Sequence, residues 1–138
     1  MIRAATLEDT PRIAELAGQL GYPCTEAEMH PRLAALLANT DHDAVLVTDD
    51  LTGWIHVALV QSLESAPFAE IRGLVVDEAH RGRGIGQTLV AAAEDWARSR
   101  DVNRIRVRSN VKRERTHPFY ERLGYATTKS QKVFDKRL

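Results

Sequence analysis

The chain has 138 residues, one cysteine and nineteen basic against nineteen acidic residues. That length suits one hydrophobic core; the lone cysteine excludes an internal disulfide and argues against a thiolate metal site, and no apolar run reads as a leader or a membrane-crossing helix, so a cytoplasmic protein is expected. The charge is divided: residues 1–70 hold three arginines and eleven acids, a balance of −8, and residues 71–138 carry the compensating +8.

Ile2 to Ala5 reads as a short edge strand. Thr6 with Asp9 opens a helix whose Ile13, Leu16, Ala17 and Leu20 fall at helical spacing, and Gly21-Tyr22-Pro23 ends it. Thr25 with Glu28 is a second capping box, leading into Met29, Leu33, Leu36 and Leu37. Ala44 to Thr48 reads as a second strand, Asp49 to Gly53 as a hairpin turn and Trp54 to Val60 as a third strand. On the third strand Trp54, His56 and Ala58 share a face.

Phe68 to Asp77 is a fourth strand, and it delivers the chain into Arg81-Gly82-Arg83-Gly84-Ile85-Gly86 and a helix with Ile85, Leu89, Ala92, Ala93 and Trp96 on one face. A glycine turn between a strand and a helix is an anion cradle. The backbone comes close, free N–H groups point at the ligand, and the helix dipole favours negative charge. Two arginines add fork-shaped donors for phosphate, so a phosphorylated cofactor is expected here. A P-loop would need Gly-Lys-Ser/Thr after Gly86, and a dinucleotide fingerprint would need glycine at Gln87; both fail.

Arg104 to Ser109 alternates, with Ile105 and Val107 inward and Arg104, Arg106 and Arg108 on a solvated face. Pro118 suits the first helical position of a short helix carrying Phe119, Tyr120 and Leu123, which Gly124 caps. Phe119 and Leu123 are expected to pack inward with Tyr120 on another face. Tyr125 to Thr128 and Lys132 to Asp135 are expected to form a final strand pair. Hairpins early and crossovers late imply a mixed α/β (α+β) sheet flanked by helices.

Arg81-x-x-Gly84-x-Gly86, together with Phe119-Tyr120-Glu121-Arg122-Leu123-Gly124-Tyr125 and this element order, resembles the GCN5-related N-acetyltransferase (GNAT) superfamily over nearly the whole chain. The resemblance implies one domain over residues 1–138, a mostly antiparallel mixed sheet with its fourth and fifth strands splayed, and acetyl-CoA as cosubstrate. It implies that the pantetheine arm lies against the backbone of Leu74, Val75 and Val76. The pyrophosphate would lie against Arg81, Gly82, Arg83, Gly84, Ile85, Gly86 and Gln87, with Asn110 and Phe119 completing the cofactor set. Gly73 would permit a bulge in the fourth strand.

Amide formation from a thioester and an amine needs a general base, an oxyanion donor and a general acid. The resemblance makes Glu70, in Phe68-Ala69-Glu70-Ile71, the first candidate for the base and Tyr120 the acid. His56 is the alternative base, since an imidazole titrates in the right range. Cys24 has no obvious base beside it, so direct transfer in a ternary complex is expected over an acyl-cysteine route. No cluster suggests a metal.

The leading function is acetyl transfer to a primary amine of a small cationic molecule. The alternatives are a protein lysine or N-terminus, or a non-catalytic acyl-CoA sensor. The acidic N-terminal half motivates the cationic acceptor, with Glu26, Glu28 and Glu64 as attracting charges and Tyr22 and Trp54 as walls. No aromatic interleaves the basic residues between Arg98 and Arg115, so neither nucleic acid nor membrane is an expected partner, while a homodimer is left open.

Overall fold

The computed structural model describes residues 1–109 and 116–138. Five strands form one sheet in the order β1-β2-β3-β4-β5: β1 (Ile2–Ala4), β2 (Asp43–Thr48), β3 (Gly53–Val60), β4 (Phe68–Val76) and β5 (Ile105–Val107). Neighbours run antiparallel except β4 and β5, which are parallel. The helices are α1 (Thr10–Leu20), α2 (Glu26–Leu37), α3 (Ile85–Ser99) and α4 (Thr116–Arg122). Among the described residues, no helix is long and apolar enough to cross a membrane.

The chain divides into two compact units, residues 1–108 and 109–138. In the first, α1 and α2 pack on one face of the sheet. Ile13, Leu16, Ala17 and Leu33 meet Val45, Val47, Trp54 and Val75 there. The α3 helix packs on β2, β3 and β4, and its Leu89, Val90 and Ala93 are buried, as are Ile55, Val57, Ala69 and Ile71. Each fully buried aliphatic side chain contributes about 1.5–3 kcal/mol against exposure.

The helix starts follow the capping residues. Asp9 accepts from the Thr6 N–H at 2.8 Å and from the Arg3 fork at 2.8 and 2.9 Å, which fastens the entry of α1 to β1. Those partners, Arg3 first, hold its carboxyl below the usual range. Thr25 and Glu28 exchange bonds of 2.9 and 3.0 Å at the start of α2. Pro31 lies inside α2.

Strand β4 carries a bulge against β3. His56 faces Gly73 and Val57 faces Ile71, which leaves Arg72 as an extra residue. Gly73 is needed for a close approach: a Cβ there would sit 3.0 and 3.1 Å from the ring of Trp54. The indole is buried and donates to the Ile13 carbonyl at 3.3 Å.

The second unit departs from expectation in three places. Its helix begins at Thr116, so Pro118 is the third helical residue. Tyr120 is the buried residue of α4, while Phe119 and Leu123 are half-buried; the edge-on contacts of its ring with Phe119 and Tyr125, at 5.0 and 5.5 Å, favour that packing. Tyr125 to Thr128 and Lys132 to Asp135 form no strand, and Val133 and Phe134 are exposed. Exposed as they are, these two residues gain no burial to offset the cost of ordering a ladder.

Candidate active site

The exit of β4 builds the first part of the site. Gly82 and Gly84 have φ of 81° and 78°, a left-handed region that L side chains enter at a cost. Nothing lies within 4 Å of a Cβ at either position, so the requirement is conformational rather than steric. Gly84 is the N-cap of α3, which leaves the first amides of Ile85, Gly86 and Gln87 without intrahelical partners. Arg81 and Arg83 are exposed at this turn. Arg81 also donates to the Val76 carbonyl at 3.3 Å. Arg83 lines a pocket of about 320 Å³ with Asp49, Asp50 and Thr88.

A carboxylate holds the turn against α1. Asp77 accepts from Gln19 at 3.1 Å, from Arg12 at 3.0 Å and from His80 at 3.0 Å. These bonds, that of Gln19 first, pull its carboxyl down to about 2.

The second part is the β4 edge on the side of β5. Strands β4 and β5 pair only from Ala69 to Ile71, against Ile105 to Val107. Beyond Ile71, no described strand pairs with β4 on that side, and Leu74, Val75 and Val76 present backbone there. The parallel pair thus separates at the bulged Arg72.

The third part surrounds Glu70. Its side chain is only 5% exposed, and three guanidiniums converge on it. Arg72 reaches one oxygen at 2.7 Å; Arg108 and Arg106 reach the other at 3.3 and 4.0 Å. Arg104 and Arg106 stand over the Phe68 ring, 4.3 and 4.2 Å from its centroid. The arginines of β5 therefore do not form the plain solvated face that their alternation implies.

His56 completes this side of the sheet. It shares the Trp54 face and sits opposite Gly73, next to the bulge. Its Nε2 lies 2.8 Å from Asp43 Oδ1. With Nε2–H donating to that carboxylate, Nδ1 is the nitrogen left to accept a proton.

Within the second unit, burial pushes the Tyr120 phenol up to about 12. Asn110 lies outside the described residues. Cys24 is half-buried and packs against the α1–α2 core. Of the expected cation-attracting set, only Trp54 is contradicted as a wall, by its burial. Glu28 is engaged in its own cap, and Glu26 and Glu64 are exposed.

Sequence reasoning missed Arg72 and Arg108 as partners of Glu70, Asp43 as partner of His56, and Asp77 as a hub. Two of these carry a local signal: Arg72 is two residues from Glu70 on one strand, and Arg104, Arg106 and Arg108 recur every second residue.

The family model of the acetyltransferase (GNAT) family matches residues 10–125. Among curated proteins, the aminoalkylphosphonate N-acetyltransferase of Salmonella typhimurium is 32% identical over 90% of this chain and 83% of its own length. The aminoglycoside N(6')-acetyltransferase type 1 of Acinetobacter haemolyticus is 28% identical over 80% of this chain and 78% of its own. The crystal structure of an aminoglycoside antibiotic 6'-N-acetyltransferase from Acinetobacter haemolyticus superposes with a TM-score of 0.85. It covers 100% of this chain and 99% of that one at 22% identity, a likeness of fold.

Proposed function

Because the chain belongs to the GNAT acetyltransferase family, an acyltransferase family whose cosubstrate is acetyl-CoA, we propose that it moves the acetyl group of acetyl-CoA onto the primary amine of a small molecule by direct attack in a ternary complex. The observation that carries this reading is the loss of β4–β5 pairing after Ile71, directly upstream of the Gly82–Gly86 turn. An unpaired parallel edge offers main-chain groups to an extended amide-bearing arm, as an added strand would. The turn at its end offers N–H groups and two arginines to a pyrophosphate. The acceptors in the names of the two curated relatives, an aminoglycoside and an aminoalkylphosphonate, share a primary amine.

In the proposed reaction the ammonium of the acceptor first gives up a proton. His56 is the better-supported base, because Asp43 orients its ring, while both oxygens of Glu70 are already engaged. The amine nitrogen then attacks the thioester carbon, and a backbone N–H of the β4 edge faces the oxygen that gains charge. The C–S bond breaks and the thiolate takes a proton. Tyr120 is the proposed donor, and burial of its phenol supports that role by keeping it protonated at working pH.

CoA release measured over small amines, polyamines, aminoglycosides and lysine or N-terminal peptides tests the reading. Sequential kinetics with a small amine are expected. Ping-pong kinetics with label on Cys24 would overturn direct attack, and peptides as the best acceptors would move the function to protein acetylation.

A further inference from the structure

The cluster around Glu70 has more positive charge than its carboxylate uses. Among the described residues, Arg72, Arg106 and Arg108 surround one buried glutamate, two positive charges more than its carboxylate neutralises. Each guanidinium has five N–H donors, whereas a carboxylate accepts about four bonds in all. Arg106 is 24% exposed and stacked on Phe68, but Arg72 and Arg108 are 48% and 61% exposed, so their remaining N–H edges are open to a ligand. Guanidiniums gathered this closely repel one another, and an anion between them relieves that repulsion.

The place of the cluster identifies which anion. It lies where β4 and β5 part. At about 3.3 Å per residue, the four residues from Arg72 to Val76 separate it by roughly 13 Å from the end of the strand and by more from the Gly82–Gly86 turn. The pyrophosphate of the cosubstrate is therefore too far away to serve both sites. His56 is on the adjacent strand, opposite Gly73 and so beside Arg72. Neighbouring strands are about 4.8 Å apart, a separation that a two- or three-carbon chain spans.

Resting on the acetyl-transfer reading above, we propose that the acceptor carries, besides its amine, a phosphonate or phosphate group two or three carbons away, gripped by Arg72 and Arg108. Glu70 acts as a positioning residue that aims the two forks. A dianion matches the surplus charge of the cluster better than a carboxylate does, and bidentate forks suit its oxygens.

The test compares 2-aminoethylphosphonate, O-phosphoethanolamine, β-alanine, n-propylamine and putrescine as acceptors. It adds a ³¹P NMR titration of the CoA-loaded protein with 2-aminoethylphosphonate. The expected result is a kcat/KM for a phosphorus-bearing amine at least tenfold above that for β-alanine and further above the other two. The phosphonate and phosphate arms tell which source is preferred. Arg72→Gln and Arg108→Gln should each erode that preference tenfold or more, mainly through KM, and Arg108→Lys should restore part of it. Equal use of propylamine or putrescine, or variants that slow every acceptor alike, overturns the proposal; equal use of β-alanine overturns the dianion. The titration separates the two failures. Phosphonate binding that the arginine variants abolish, without acetylation of any amine, upholds the anion site and defeats the transfer reading. Acetylation of propylamine or putrescine without phosphonate binding does the reverse.

Discussion

Arg12 of α1 donates to Asp77, 65 residues away in sequence, through Nη2 to Oδ2 at 3.0 Å. The bond joins the first helix to the residue at which β4 gives way to the glycine turn. The Asp77 carboxyl titrates at about 2 in the folded protein against an ordinary 3.8. A carboxylate with a depressed pKa contributes stability that is full above its unfolded value and disappears as pH falls through the folded one. Asp77→Asn should therefore lower Tm at pH 7. The gap to the wild type should close as pH falls from about 5 to 2. Thermal melts followed by circular dichroism read this directly, and a gap independent of pH would contradict it.

Gly84 caps α3 at φ 78° in the proposed pyrophosphate cradle. Gly84→Ala should cost about 1–2 kcal/mol of stability through strain alone. Gly84→Asp adds negative charge and should weaken acetyl-CoA binding tenfold or more, about 1.4 kcal/mol or above. Calorimetric titration of both variants separates strain from charge. Equal affinity in the two would remove the turn from cofactor binding.

His56 and Glu70 share a sheet face but differ in company, one beside a single aspartate and the other under three guanidiniums. With His56 as the base, His56→Gln should lower kcat about 10²–10⁴-fold. Glu70→Gln should leave kcat nearly intact and raise KM for the acceptor. The reverse pattern would return the base role to Glu70.

Tyr120→Phe removes one hydroxyl and little volume. Turnover should fall about 10²–10⁴-fold with acetyl-CoA affinity nearly intact. Because the phenol titrates at about 12, no alkaline limb below about pH 10 should belong to it. A limb in that range that vanished in the variant would show an ionisation this burial opposes.

Periodicity, capping pairs and glycine turns are local signals, and they placed α1, α2, α3 and the first four strands close to their observed bounds. The fifth strand is shorter than its alternation implies, Ile105–Val107 rather than Arg104 to Ser109. The same local signals overreached at Lys132 to Asp135, where β-favouring residues have nothing described to bury them. The strand–turn–helix cradle was legible because its chemistry sits in one continuous stretch. The Glu70 cluster was not, since Arg72, Arg106 and Arg108 meet only after two distant strands pair in register. Asp43 reaches His56 in the same way, across a hairpin whose register no single residue announces.

A grip built from main-chain N–H groups asks little of the side chains that pass through it. At the turn before α3, the backbone of Gly82 and Gly84 and the direction of the helix set the geometry. Substitution elsewhere can accumulate without erasing it. The proposed acceptor grip obeys the opposite rule, because it resides in a few side chains where β4 and β5 part. On that proposal, a handful of substitutions there would rewrite the choice of acceptor while the main-chain cradle stayed as it is.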